Sequence, residues 1–389
     1  MLSVCIRVHP VSQCVSVFIC GCMYSLRQTM AEKDYFESQI EQMLCPLSDF
    51  TRGVLDTTFM MRNDGSFVYV EGYYQPPGKV IGKIIYYPTP DGAVDIHGRP
   101  YESMVKAERD GQTIYIPHDE QIRMHRPIDP ALEEEDLIIT KFHVGFPLPS
   151  FRGYFNDRRS LYYAMSRFPL VGRAVENVSR FLNVPVSRLG ITGSTALGRR
   201  GEHSDIDLVI FGTVEQNRET ASRICDHIHR NPESTVVEFG KFWPLRFVYQ
   251  GIEICPAYVY MNLDEAPIRN CTVELVRDSV EAYGTIADDT HAIYMPPVVR
   301  LSDVYLDGRP ADDIVFVVYD GSVRGEFYLK ERLHVRGRVI RIRKDREEFL
   351  ALVAFDAGDI TREQFVRGVP RLKEQLRLSR SQGQTSSID

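Results

Sequence analysis

Gly193-Ser194-Thr195-Ala196-Leu197-Gly198, five further residues, then Ser204-Asp205-Ile206-Asp207-Leu208 is the most informative string in the chain. A glycine after a buried strand lets the backbone come close to a triphosphate, and the next residues can open a helical turn whose unpaired N–H groups favour a polyanion. Ser194 adds a hydroxyl donor. Asp205 and Asp207 stand two apart, so on a strand both carboxylates leave one face while Ile206, Leu208 and Ile210 take the other. Two carboxylates held that close repel each other until a divalent cation neutralises them, and carboxylates plus substrate phosphates are the expected ligands of magnesium.

Upstream, Val171, Ala174, Val175, Val178, Phe181 and Leu182 recur at helical spacing, with Asn183 and Pro185 as the stop. Residues 189–192 read as a short buried strand feeding the loop. Downstream, Thr213 and Gln216 offer a capping box opening a helix to about His229. Residues 236–239 and 247–260 supply strands, with Gln250-Gly251 as a tight turn. On the last strand Glu253, bracketed by Ile252 and Ile254, is the candidate third acid, because nucleotidyl transfer needs a group that holds the metal activating the attacking hydroxyl. The order of elements predicts a compact α+β unit built on a mixed sheet. The candidate catalytic and metal-binding residues are therefore Asp205, Asp207 and Glu253, and the candidate nucleotide-binding residues are Gly193, Ser194, Arg199, Arg200 and Ser204.

Each has a plainer reading. A lone pair of alternate aspartates is often a solvated strand end, and Glu253 could equally mark the wet face of an edge strand. His203 beside the aspartates is readable as an ordinary loop residue. Lys241 and Arg246, within reach of a triphosphate on neighbouring strands, are readable as surface charge. It is the glycine-serine loop at the right distance from the aspartates that tips the balance.

Gly-Ser, Ala196, Gly198 and Ser-Asp-x-Asp-Leu at this spacing resemble the signature of the DNA-polymerase-beta-like nucleotidyltransferase superfamily over about residues 171–260. The resemblance implies the fold, a two-magnesium site in which manganese substitutes, a nucleoside triphosphate substrate, and the roles given above to Ser194, Asp205 and Asp207. It departs in two places: Leu197 stands where many relatives carry arginine, with Arg199 and Arg200 next in line, and the third acid is glutamate where aspartate is commoner. The whole chain also looks like a group of archaeal proteins in which a β-rich segment similar to Val70-Glu71-Gly72-Tyr73-Tyr74-Gln75-Pro76-Pro77-Gly78 precedes the core and one similar to Val335-Arg336-Gly337-Arg338-Val339 follows it.

The 389 residues suit two or three compact units, and 43% hydrophobic with 25% charged residues fits a globular protein rather than a disordered or fibrous one. The expected organisation is a β-rich N-terminal domain over 30–155, the nucleotidyltransferase domain over 156–290, a barrel-like β domain over 291–378 and a tail over 379–389. Residues 1–29, too short in their apolar run for a membrane helix, read as a leader or, preferably, an upstream extension before Met30 or Met23. A net charge of −7 argues against wholesale polyanion binding. A local strip remains: Arg336, Arg338, Arg341, Arg343, Lys344 and Arg346 crowd one segment, readable as a track for an RNA or other nucleic-acid acceptor, as in oligonucleotide-binding barrels, or as a solvated face balanced by Glu347 and Glu348. No C-x-x-C spacing exists among the eight cysteines, so Cys225 and Cys255 read as small buried apolar residues in a reducing, cytoplasmic setting. Against the enzyme stands a nucleotide- or RNA-binding module on the same fold without turnover, and behind it a partner in a toxin-antitoxin pair, which the extra β domains on both sides argue against.

Overall fold

Strand Ile206–Gly212, which begins just after Asp205 and contains Asp207, lies second in a five-stranded mixed sheet. The order is Leu189–Ile191, Ile206–Gly212, Ile252–Tyr260, Lys241–Tyr249, Thr235–Glu238. Only Ile206–Gly212 and Ile252–Tyr260 run parallel. The computed structural model describes residues 35–49, 53, 55–109, 111–125, 127–129, 137–199, 205–238 and 241–362. The extension at 1–29, the tail from 379, Arg200, His203 and Ser204 lie outside them.

Three helices cover one face of this sheet. Pro169–Leu182 buries Val171, Ala174, Val175, Val178 and Leu182, and ends on Asn183 in the left-handed region at φ 54°. Asn156 caps Asp157–Arg167, and Thr213 with Gln216 forms the capping box of Val214–Arg230. Their apolar sides meet Ile206, Leu208, Ile210, Ile254 and Tyr258 in one core. Gln250 and Gly251, both at positive φ, make the tight turn between Lys241–Tyr249 and Ile252–Tyr260. This is the α+β arrangement expected from the periodicities.

N-terminal to it, an eight-stranded sheet holds Phe59–Arg62, Phe67–Val70 and Lys79–Pro88 at its centre, with a separate hairpin of Lys106–Arg109 and Gln112–Tyr115. The run from Val70 to Gly78 ties this sheet to the rest of the molecule. Glu71 is sandwiched between the buried Lys83, 3.1 Å away, and His143, whose Nε2 it contacts directly. Tyr319 donates its hydroxyl to the Glu71 carbonyl at 3.0 Å, while the Tyr73 ring packs edge-on against Tyr260. At Gly72, φ +82°, a Cβ would lie 2.6 Å from the Tyr319 hydroxyl.

The C-terminal sheet opens at Cys271. Its strands Cys271–His291, Val298–Leu306, Ile314–Val318, Glu347–Ala354 and Arg332–Lys344 pair in that order, and the last pairs back with the first, so the path closes on itself. Ile314–Val318 with Glu347–Ala354 is the single parallel pair of that circuit.

Several local expectations are corrected. Residues 327–329, inside the segment expected to be β, form no strand: Gly325 and Lys330 at positive φ turn the chain on either side, and Phe327 is a buried plug against Phe316. His118–His125 is a helix inside the segment read as β-rich. Cys225 lies on the exposed side of its helix. Among the described residues no helix is long and apolar enough to cross a membrane.

Candidate active site

The strand register builds the site in rows. Asp207 is the cross-strand partner of Cys255. One step from the pair Phe247 and Ile254, Cys255 is in turn opposite Arg246. Partners in register share a face, so Asp207, Cys255 and Arg246 line up across three strands on the side away from the helices. One row outward, Asp205 adjoins Glu253. Asp205, Asp207 and Cys255 offer ligand atoms that all lie within 4.8 Å of one another.

Gly193 closes the floor of this cluster. It sits at φ +66°, and a Cβ there would lie 1.8 Å from Asp207 Oδ2. Only glycine lets the loop rest on the aspartate. Thr192 anchors the approach twice, donating its N–H to the Asp207 carbonyl at 2.9 Å and its hydroxyl to the Thr57 carbonyl at 2.6 Å. Residues Gly193–Ala196 form one helical turn, whose first N–H groups have no acceptor within the turn. Ser194 is half-buried beside them, and its carbonyl accepts from Arg199 N at 3.1 Å.

Leu197, the departure noted in the motif, points elsewhere. It is fully buried in the apolar cluster of Phe36, Ile40, Phe67 and Phe155, and so serves as a plug joining the loop to the N-terminal sheet. That contact accounts for an apolar residue where a cation is commoner.

The electrostatics are those of crowded acids. Burial, then the charge of Asp205, pushes the Asp207 carboxyl up to about 7. Burial, then the same Asp205, raises Glu253 as well. Cations answer them. Burial disfavours the Arg246 charge, but Cys255, Asp207, Glu238 and Asp205 together hold its pKa high. Its guanidinium contacts Glu238 at 2.7 Å and Glu253 at 4.0 Å and stacks on the Trp243 ring at 3.9 Å. Lys106, from the N-terminal hairpin, bonds Glu238 at 3.2 Å, and Asp205 and Asp207 add to the field that keeps it charged. Burial raises the pKa of the Tyr86 phenol, from the N-terminal sheet, with the Arg199 charge opposing the shift and Asp207 adding to it. Through Lys106 and Tyr86 the N-terminal unit borders the acid site.

The structure thus brings Gly193, Ser194, Arg199, Asp205 and Asp207 together and leaves Glu253 on the same face, half-exposed, outside the tightest cluster. Lys241 turns away, contacting the Ser322 carbonyl and Glu326. Cys255 and Lys106 were missed. Cys255 was legible in principle, two residues beyond Glu253 on one strand and hence on the same side; Lys106 carries no local signal, because only the tertiary fold brings it near the acids. The donor set fits a hard divalent cation through its carboxylates. The Cys255 thiol is a soft ligand unsuited to magnesium, and it lies close enough to Asp207 to hydrogen-bond it.

The arginine strip has its own partners. Arg338 is buried against Asp278 at 2.6 Å, while Arg341 and Arg343 both contact Glu274 and Glu348. Lys344 donates to the Asp264 and Ala266 carbonyls. Arg336 and Arg346 remain exposed.

A model of the nucleotidyltransferase domain family matches residues 173–262. The match starts within helix Pro169–Leu182 and ends just past strand Ile252–Tyr260, so it encloses the loop, both aspartates, Glu253 and Cys255. No curated protein and no solved structure matches the chain.

Proposed function

We propose that the chain is a nucleotidyltransferase moving a nucleoside monophosphate from a nucleoside triphosphate to an acceptor hydroxyl. The observation that carries this reading is the seating of Gly193 directly on Asp207, with Asp205 alongside, inside the matched domain. Asp205 and Asp207 would hold magnesium, or manganese in its place, and such ions, when bound, supply neutralisation of the triphosphate and a lowered pKa at the acceptor hydroxyl. The protein's own share is positioning. The N–H groups at 193–195 and the Ser194 hydroxyl orient the phosphates, and Arg199 and Lys106 offset their charge. Arg246 steadies Glu238 and Glu253. Glu253 is the third acid in this reading, and Arg200 and Ser204 extend the nucleotide site. The plan shared with archaeal proteins belongs to the same proposal.

The acceptor is less constrained. An RNA acceptor drew its support from residues 336–346, and the pairing of Arg338, Arg341 and Arg343 with acids removes most of it. The test therefore offers the full-length protein labelled triphosphates with magnesium, against both total RNA and the protein itself. Label transfer that disappears in Asp205→Asn and Asp207→Asn is the expected result. Triphosphate binding without transfer would instead establish a module without turnover.

A further inference from the structure

The outer face of the C-terminal barrel carries a row of aromatic rings that the catalytic reading does not use. Tyr283 is the cross-strand partner of Tyr305 on one side and of His334 on the other. Partners in register share a face, so the three rings lie in line across three adjacent strands. Tyr305 is 46% exposed and Tyr283 36%, whereas their strand neighbours Ala282, Val304, Leu333 and Val335 are buried in the barrel core. Tyr283 and His334 stack, with centroids 4.3 Å apart and planes 4° from parallel. Tyr305 makes no ring contact among the described residues.

Charge borders this row. Arg332 and Arg336 precede and follow His334 at two-residue steps on one strand, and both are exposed. The acid opposite Arg336, Glu281, is bonded to His334 Nε2 at 2.8 Å, and Asp307 is paired with Arg277. Arg336 has no ion pair among the described residues. Unpaired bases each present a π face to such rings while their phosphates meet Arg336, whereas a duplex keeps its base faces hidden.

We infer that the face centred on Tyr283, Tyr305 and His334 binds single-stranded nucleic acid. It is a site separate from the acid cluster, and it stands whether or not that cluster turns over a triphosphate. The test is fluorescence anisotropy of the full-length protein with labelled single-stranded RNA and DNA of about 16 nucleotides, within the usual site size for such surfaces. Binding should weaken with salt. The pair Tyr283→Ala with Tyr305→Ala should lower affinity by about tenfold or more, and Tyr283→Phe with Tyr305→Phe, which keeps the rings and guards against a folding artefact, should bind as the natural protein does. Arg336→Ala should give a shallower salt dependence. Asp205→Asn should leave binding intact, which separates this site from the catalytic proposal. No binding of either oligonucleotide by the natural protein, alanine variants that bind normally, or phenylalanine variants as weak as the alanine ones would each overturn the inference.

Discussion

A methyl group at position 193 has no room: the loop turns there at φ +66° and the methyl would overlap Asp207 Oδ2. Gly193→Ala should cost about 1–3 kcal/mol from backbone strain and should depress transfer further by displacing Asp207; thermal melts and label transfer read the two separately. The pair Cys255 and Glu253 decides what completes the acid site. Cys255→Ala should leave transfer within a few-fold, because a thiol is a poor partner for magnesium. Glu253→Gln should lower it by at least about tenfold. The reverse ranking, measured with the same assay, would reassign the third position to Cys255. The aspartates were legible because alternation on a strand fixes a shared face, and Gly193 because only a glycine suits a loop that close. The place of Lys106 was not, since only the tertiary fold brings its hairpin to Glu238 beside the acids.

At the scale of elements, helices announced themselves through local rules: the apolar stripe of Pro169–Leu182, the box at Thr213 and Gln216, and the Gln250-Gly251 turn each need only a few adjacent residues. Strand Cys271–His291 did not. Its exposed Glu274, Asp278 and Glu281 break any alternation, and they make sense only beside Arg341, Arg343, Arg338 and His334 of the partner strand. The same long-range logic governs Asp157, buried where helix Asp157–Arg167 meets Gly190. Burial pushes its carboxyl up to about 8, and that of Asp56 up to about 7. A carboxyl so raised keeps its proton in the fold and gives it up on unfolding, so its stabilisation is complete below 3.8 and is lost as pH rises toward 8. His125, His143 and His291, pushed down to about 4 chiefly by burial, act in the opposite sense but only below 6.5. Melting temperature should therefore fall between pH 6.5 and 8, and Asp157→Asn should flatten that slope by up to about 1.4 kcal/mol per pH unit. Parallel melting curves for the two proteins would contradict this.

Across the whole molecule, the Val70–Gly78 run is the joint among three units rather than a feature of one. Glu71 meets Lys83 and His143, and its carbonyl accepts from Tyr319. Burial would raise the Glu71 carboxyl, but Lys83 and then His143 hold it well below the usual range. Glu71→Gln strands a buried lysine and should destabilise the protein by about 3–5 kcal/mol in denaturant unfolding. What this run touches was not legible in the sequence, because His143, Tyr260 and Tyr319 come from segments far along the chain. The proposed activity requires a triphosphate, the glycine loop and the two aspartates to meet at one place. A crystal structure of the full-length protein soaked with a non-hydrolysable triphosphate and manganese tests it most directly. Anomalous density between Asp205 and Asp207, with phosphates against residues 193–195, is the expected result; manganese and triphosphate bound away from both would refute the proposed activity.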